Sequence, residues 1–165
     1  MPADIKRLIA ELSASEAAVR QAAAEQLARL GEAARPAAVA LARHAADAEE
    51  AVREAVVSAL EAIGPPAKEQ LGELIALLKE GSADVVYWAA TLIGRLQEAG
   101  SSAADALSRC LEESKDLAPR ERAAWALGEL GKGAAPAIDA LKKAAAEASP
   151  RLARLAQKAL ERISG

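Results

Sequence analysis

Covalent catalysis needs a nucleophile and a base, and this 165-residue chain offers one cysteine and one histidine for those roles. Cys110 and His44 fall in one column of a repeating pattern that reads Glu11, His44, Leu77, Cys110 and Ala144. The shared column places them two repeats apart. Packed helix axes lie about 8–10 Å from one another, which makes the separation on the order of 20 Å. Hydrogen-bond reach is about 3 Å, so the pair is read as two half-buried core-edge residues and no catalytic residue is assigned. A phosphate-binding glycine loop, zinc-ligand spacing and a nucleophile elbow are all missing, so no cofactor or metal is expected. The net charge of −3 speaks against a phosphate-binding face for nucleic acid.

Recognition chemistry is better represented. One column reads Ala10, Arg43, Ala76, Arg109 and Lys143, and Arg7 stands in the next. A stripe of Arg7, Arg43, Arg109 and Lys143 could grip an acidic protein or peptide, because the arginine fork matches a carboxylate. The competing reading is a solvated surface: Asp105 and Asp139 stand four residues before Arg109 and Lys143, and Asp47 four after Arg43. Such pairs are worth about 0.2–0.5 kcal/mol on a helix surface. The three aromatics, Tyr87, Trp88 and Trp125, form a second candidate. Tyr87 and Trp125 fall in outward columns of adjacent repeats, where a patch would serve contact or weak self-association. Alternatively, Trp88 stacks on Arg122 and the other two rings cover small-residue gaps.

These residues must be carried by helices. Leu8, Leu41, Leu74, Leu107 and Leu141 recur with gaps of 33, 33, 33 and 34 residues, the mark of a stacked repeat. Leu27, Leu60, Ile93, Leu127 and Leu160 form a second series, and Leu30, Ile63, Leu96, Leu130 and Ile163 follow it by three. Spacings of three, four, seven and eight are helical. Each repeat therefore holds a helix A and a helix B, the latter centred on the ruler leucine. Glu16, Glu49, Ser82, Asp116 and Ser149 stand at the starts of A, where serine or aspartate can accept from first-turn amides. Gly31, Gly64 and Gly131 end three of the A helices, with Gln97 in the equivalent place of a fourth. Proline starts helix B: Pro36 and Pro136 fall in one opening column, and Pro65 and Pro66 just before it. About ten helices result, from a lone B to a lone A.

Val52–Gly64, with its Val-Arg-Glu-Ala start and Leu60, Ile63 and Gly64 close, resembles the A helix of a HEAT repeat in its short bacterial form. Val19–Gly31 and Pro119–Gly131 repeat the signature. The third repeat departs from it, with Val86 in the arginine position and Gln97 in the glycine position. The resemblance implies a right-handed all-α solenoid of stacked antiparallel helix pairs with a concave B-helix face, and the lack of a linker or low-complexity stretch makes it one domain over 1–165. It also implies a non-catalytic scaffold for a protein or peptide partner. HEAT-like enzyme accessories or lyases that bind a small molecule, and designed repeat proteins without a natural partner, share the pattern. No apolar run is long enough to span a membrane, and a single cysteine suits the cytoplasm. Arg151, Arg154, Gln157, Lys158 and Glu161 give the last helix a polar cap, whereas Ile5, Leu8, Ile9 and Leu12 give the first a wide apolar face. The chain thus reads as a small complete protein or as part of a longer array.

Overall fold

Helix follows helix wherever the apolar columns recur, and the described residues contain no strand. The computed structural model describes residues 3–165, and internal contacts divide the chain into two compact units, Met1–Gln70 and Leu71–Gly165. The first unit holds α1 (Ala3–Glu11), α2 (Ala17–Leu30), α3 (Ala38–Arg43) and α4 (Glu50–Ala62). The second holds α5 (Leu71–Glu80), α6 (Ala83–Arg95), α7 (Ala104–Glu113), α8 (Leu117–Glu129), α9 (Ile138–Ala145) and α10 (Pro150–Ser164). Odd-numbered helices are the B helices and even-numbered ones the A helices.

The ruler leucines form the centre of each unit's core. Leu41, Leu74, Leu107 and Leu141 are fully buried and Leu8 is 2% exposed. Leu27, Leu60, Ile93 and Leu127 are fully buried on the A helices, while Leu160 is only half-buried. A helices pack side by side, α2 on α4 in the first unit and α6 on α8 on α10 in the second. Alanine makes this close approach possible: Ala23, Ala24, Ala59, Ala89, Ala90, Ala123 and Ala124 are all fully buried. Gly128 does the same for α8, since a Cβ there would stand 3.1 Å from the Cα of Ala159 on α10. Ile5 and Leu8 on α1 and Leu12 just after it are buried, with α1 packed on α2, and all five polar cap positions of α10 are exposed.

Glycine ends the A helices for a backbone reason. Gly31, Gly64 and Gly131 have φ of 54°, 68° and 58°, and at Gly31 ψ is −131°, a combination that a Cβ strongly disfavours. Gln97 adopts φ 52° in the same position without that freedom.

Two expectations about helix starts need correction. Glu16, Glu49, Ser82, Asp116 and Ser149 do occupy the N-cap positions, but none caps with its side chain. Their carbonyls accept the first intrahelical bonds, as where the amide of Val86 donates to Ser82 and that of Ala153 to Ser149. Pro36 and Pro136 lie within 3-10 segments, Gly31–Ala37 and Gly131–Ala137, and the α-helices begin after them at Ala38 and Ile138. A proline cannot donate an amide, and the tight 3-10 turn tolerates its fixed φ.

Candidate functional site

The B-helix cations differ in how far they are already engaged. Arg7 donates to Glu11 at 2.7 Å, one turn along α1. Lys143 donates to Glu112 on α7 at 3.0 Å, where spacing alone offers Asp139, and that bond raises its pKa. Asp47, which spacing offers to Arg43, gives both carboxylate oxygens to Arg20. Arg109 is exposed and forms no ion pair among the described residues.

On the A-helix side of the second unit the aromatics come together around a cation. Arg122 of α8 places its guanidinium 4.4 Å from the Tyr87 ring centroid and 5.0 Å from that of Trp125. It also donates a hydrogen bond to the Tyr87 hydroxyl. Trp88 is buried, with its ring edge-on to Tyr87 at 5.6 Å, and its cationic neighbour is Arg95 at 6.0 Å rather than Arg122. Tyr87 and Trp125 are half-buried, so this face is a guanidinium held between two rings and not a bare apolar patch. Glu121 beside it pairs with Arg151 at 3.2 Å.

Cys110 and His44 fall in different units. Cys110 is 7% exposed, and burial pushes its thiol up to about 11, which leaves almost no thiolate near neutral pH. His44 has company that residue spacing does not reveal: its Nε2 is 3.4 Å from the Ser13 hydroxyl and its Nδ1 is 3.7 Å from Asp47. Burial lowers its pKa against the opposing pull of Asp47. The order serine, histidine, aspartate matches a hydrolytic triad. However, the amides of Ser13 and of the residue after it are already committed, Ser13 to the Ala10 carbonyl and Ala14 to that of Glu11. An oxyanion beside Ser13 would find neither of them free to donate.

Successive repeats are joined by arginines. Arg20 grips Asp47 with Nε at 2.8 Å and Nη2 at 2.9 Å, while Nη1 donates to the carbonyls of Ala14 and Ser15. The Arg20 guanidinium holds the Asp47 carboxyl down at about 2. Arg53 donates to the carbonyls of Asp47 and Ala48. In the second unit, Arg120 grips Glu147 with two donors at 2.6 and 3.0 Å and also reaches the Leu111 carbonyl at 2.7 Å.

Helix pairs, buried leucine columns and arginine joints between repeats agree with the family comparison, in which the pattern of HEAT repeats matches residues 5–90 and 71–161. This chain belongs to the HEAT repeats. No curated protein sequence matches it. Among solved structures, one chain of the complex of CpcE and CpcF of phycocyanin lyase from Nostoc sp. PCC7120 is similar, with TM-score 0.62 and 23% identity over 95% of this chain and 98% of that one. A designed armadillo repeat protein in complex with the peptide (KR)4 aligns with TM-score 0.65 and 20% identity, over 96% of this chain and 81% of that one. An engineered protein gives TM-score 0.62 and 20% identity, and this HEAT chain covers 98% of itself but 48% of that protein, about half its length. These similarities establish the fold, a stacked helical repeat.

Within the HEAT pattern, sequence reasoning located the aromatics but missed Arg122 as the group between Tyr87 and Trp125. It also missed the link from Arg20 to Asp47, 27 residues on. The available signal was the recurrence of that same offset between Arg120 and Glu147.

Proposed function

We propose that this HEAT chain is a non-catalytic scaffold that binds a partner protein or peptide of acidic character through the cations of its B helices. The observation that carries the reading is Arg109, an exposed guanidinium on α7 whose donors no carboxylate of the described residues occupies. Lys143 on neighbouring α9 extends the positive surface in that unit, and Arg7 and Arg43 supply the cations of the first. Peptide or protein binding in general, though not a preference for acidic partners, is supported by the similar folds, which include a designed repeat protein in complex with the basic peptide (KR)4 and a two-chain lyase complex. The engaged amides near Ser13 favour a binding role over hydrolysis. A cytoplasmic setting without nucleic-acid or membrane partners belongs to the same reading.

A second surface is favoured by the half-buried Tyr87–Arg122–Trp125 stack, whose rings and guanidinium are already held together for contact, including weak self-association.

Fluorescence anisotropy with a labelled glutamate-rich decapeptide tests the primary reading. Saturable, salt-sensitive binding should fall by about tenfold or more in an Arg43→Glu/Arg109→Glu/Lys143→Glu variant of unchanged helicity. Equal binding by both proteins would remove the B-helix cations from the site.

A further inference from the structure

Repetition shows what one repeat lacks. The joint-forming column reads Arg20, Arg53, Val86 and Arg120, so three positions carry a guanidinium and one an isopropyl group. In the sequence, an acid stands six residues after each of four ruler leucines: Asp47, Glu80, Glu113 and Glu147. At the described joints Arg20 meets Asp47 and Arg120 meets Glu147. By the same register Glu113 is the acid opposite Val86. Glu113 is exposed and forms no ion pair among the described residues. Between α5, α6 and α7 there is a cavity of about 500 Å³, lined in part by Gly81, Val86, Ala106, Cys110, Glu113 and Ser114.

We propose that this cavity is a vacant arginine seat, which binds the side chain of an arginine presented by a partner protein. Glu113 takes the guanidinium as Asp47 and Glu147 do at the occupied joints. The carbonyls at residues 80–81 correspond to those of Ala14 and Ser15 that Arg20 uses. Val86, Ala106 and Cys110 supply an apolar wall for the methylene stem. The occupied seats explain why arginine fits and lysine does not: Arg20 sends three nitrogens to a carboxylate and two carbonyls at once, and a single ammonium cannot span that arrangement.

Charge does not bar the seat, although it weakens it. Arg109 and Lys79 also line the cavity. The Arg109 column holds Arg43 in the repeat of the Asp47 joint and Lys143 in that of the Glu147 joint, and both joints contain their arginine. Lys79, by contrast, stands where those joints have Ser13 and Glu112, so its positive charge is peculiar to this seat. The seat shares Arg109 with the B-helix surface as a lining residue, but its own groups, Val86 and Glu113, take no part in that reading.

Titration of the ¹⁵N-labelled full chain with N-acetyl-arginine amide, followed at the amides of Gly81 and Ser114, tests the seat. Saturable shifts are expected, with binding weakened about tenfold when N-acetyl-lysine amide or bare guanidinium ion replaces the probe. Glu113→Gln should weaken arginine binding by about fivefold or more, and Lys79→Ala should strengthen it. Val86→Arg should fill the seat from within, abolish the response and raise the melting temperature by a few degrees. Equal binding of the lysine probe, equal binding of bare guanidinium, or no saturable shift would overturn the proposal. If Val86→Arg fails to fold, the Glu113→Gln and lysine comparisons decide on their own.

Discussion

Asp47 shows what one carboxylate contributes to a repeat joint. Its side chain is 6% exposed and Arg20 holds it by both oxygens. The pair is thus better shielded than a surface salt bridge, and its hydrogen bonds are charge-assisted. With its pKa moved from the usual 3.8 to about 2 in the folded chain, this carboxylate stabilises the fold fully above its unfolded pKa. That contribution is lost as the pH falls through the folded value. Asp47→Asn should therefore cost about 1 kcal/mol near neutral pH, a value held down by solvent screening. The difference should close between about pH 4 and pH 2. Urea-unfolding midpoints of both proteins across that range measure it, and parallel curves would show that Arg20 contributes no charge-linked stability.

Helix ends divide what was legible in the sequence from what was not. The leucine columns and the glycines at residues 31, 64 and 131 announce where each A helix runs and stops, because burial and a positive φ depend on residue type and spacing alone. Side-chain partners do not. Serine and aspartate at the A-helix starts promise side-chain caps that the structure lacks, and Arg20 and Arg53 instead satisfy the carbonyls of the turn before their helix. A long arginine on the second turn can reach there, and no local spacing rule includes that reach. Arg122 is similar: its column points towards Trp88, but the length and tilt of the side chain carry its guanidinium between Tyr87 and Trp125. Gln97 is the residue where sequence and backbone disagree, with φ 52° and a Cβ to accommodate. Gln97→Gly should relieve that strain and stabilise the chain by about 1 kcal/mol, read as a higher unfolding midpoint. An unchanged or lower midpoint would show that the turn carries no strain of that size.

At the scale of the molecule, a HEAT chain is held together by contacts between neighbouring repeats, and its leucines do not all meet in one centre. Leu27 of the first unit and Leu127 of the second are both fully buried, each among residues of its own unit. Leu27→Ala and Leu127→Ala should each cost about 2–5 kcal/mol. The double variant should match their sum within about 0.5 kcal/mol, provided that unfolding remains two-state. A larger discrepancy would reveal coupling that nearest-neighbour packing does not provide. The arginine joints add an asymmetry, since in both described joints the donor stands near the start of an A helix and the acid in the turn before the next A helix. A repeat joined in this way works like a railway carriage with a hook at one end and an eye at the other. A duplicated 33-residue segment spliced into the gene in frame with the repeat would meet a matching coupling on both sides, so arrays of this kind can lengthen by copying before any new contact has to be invented.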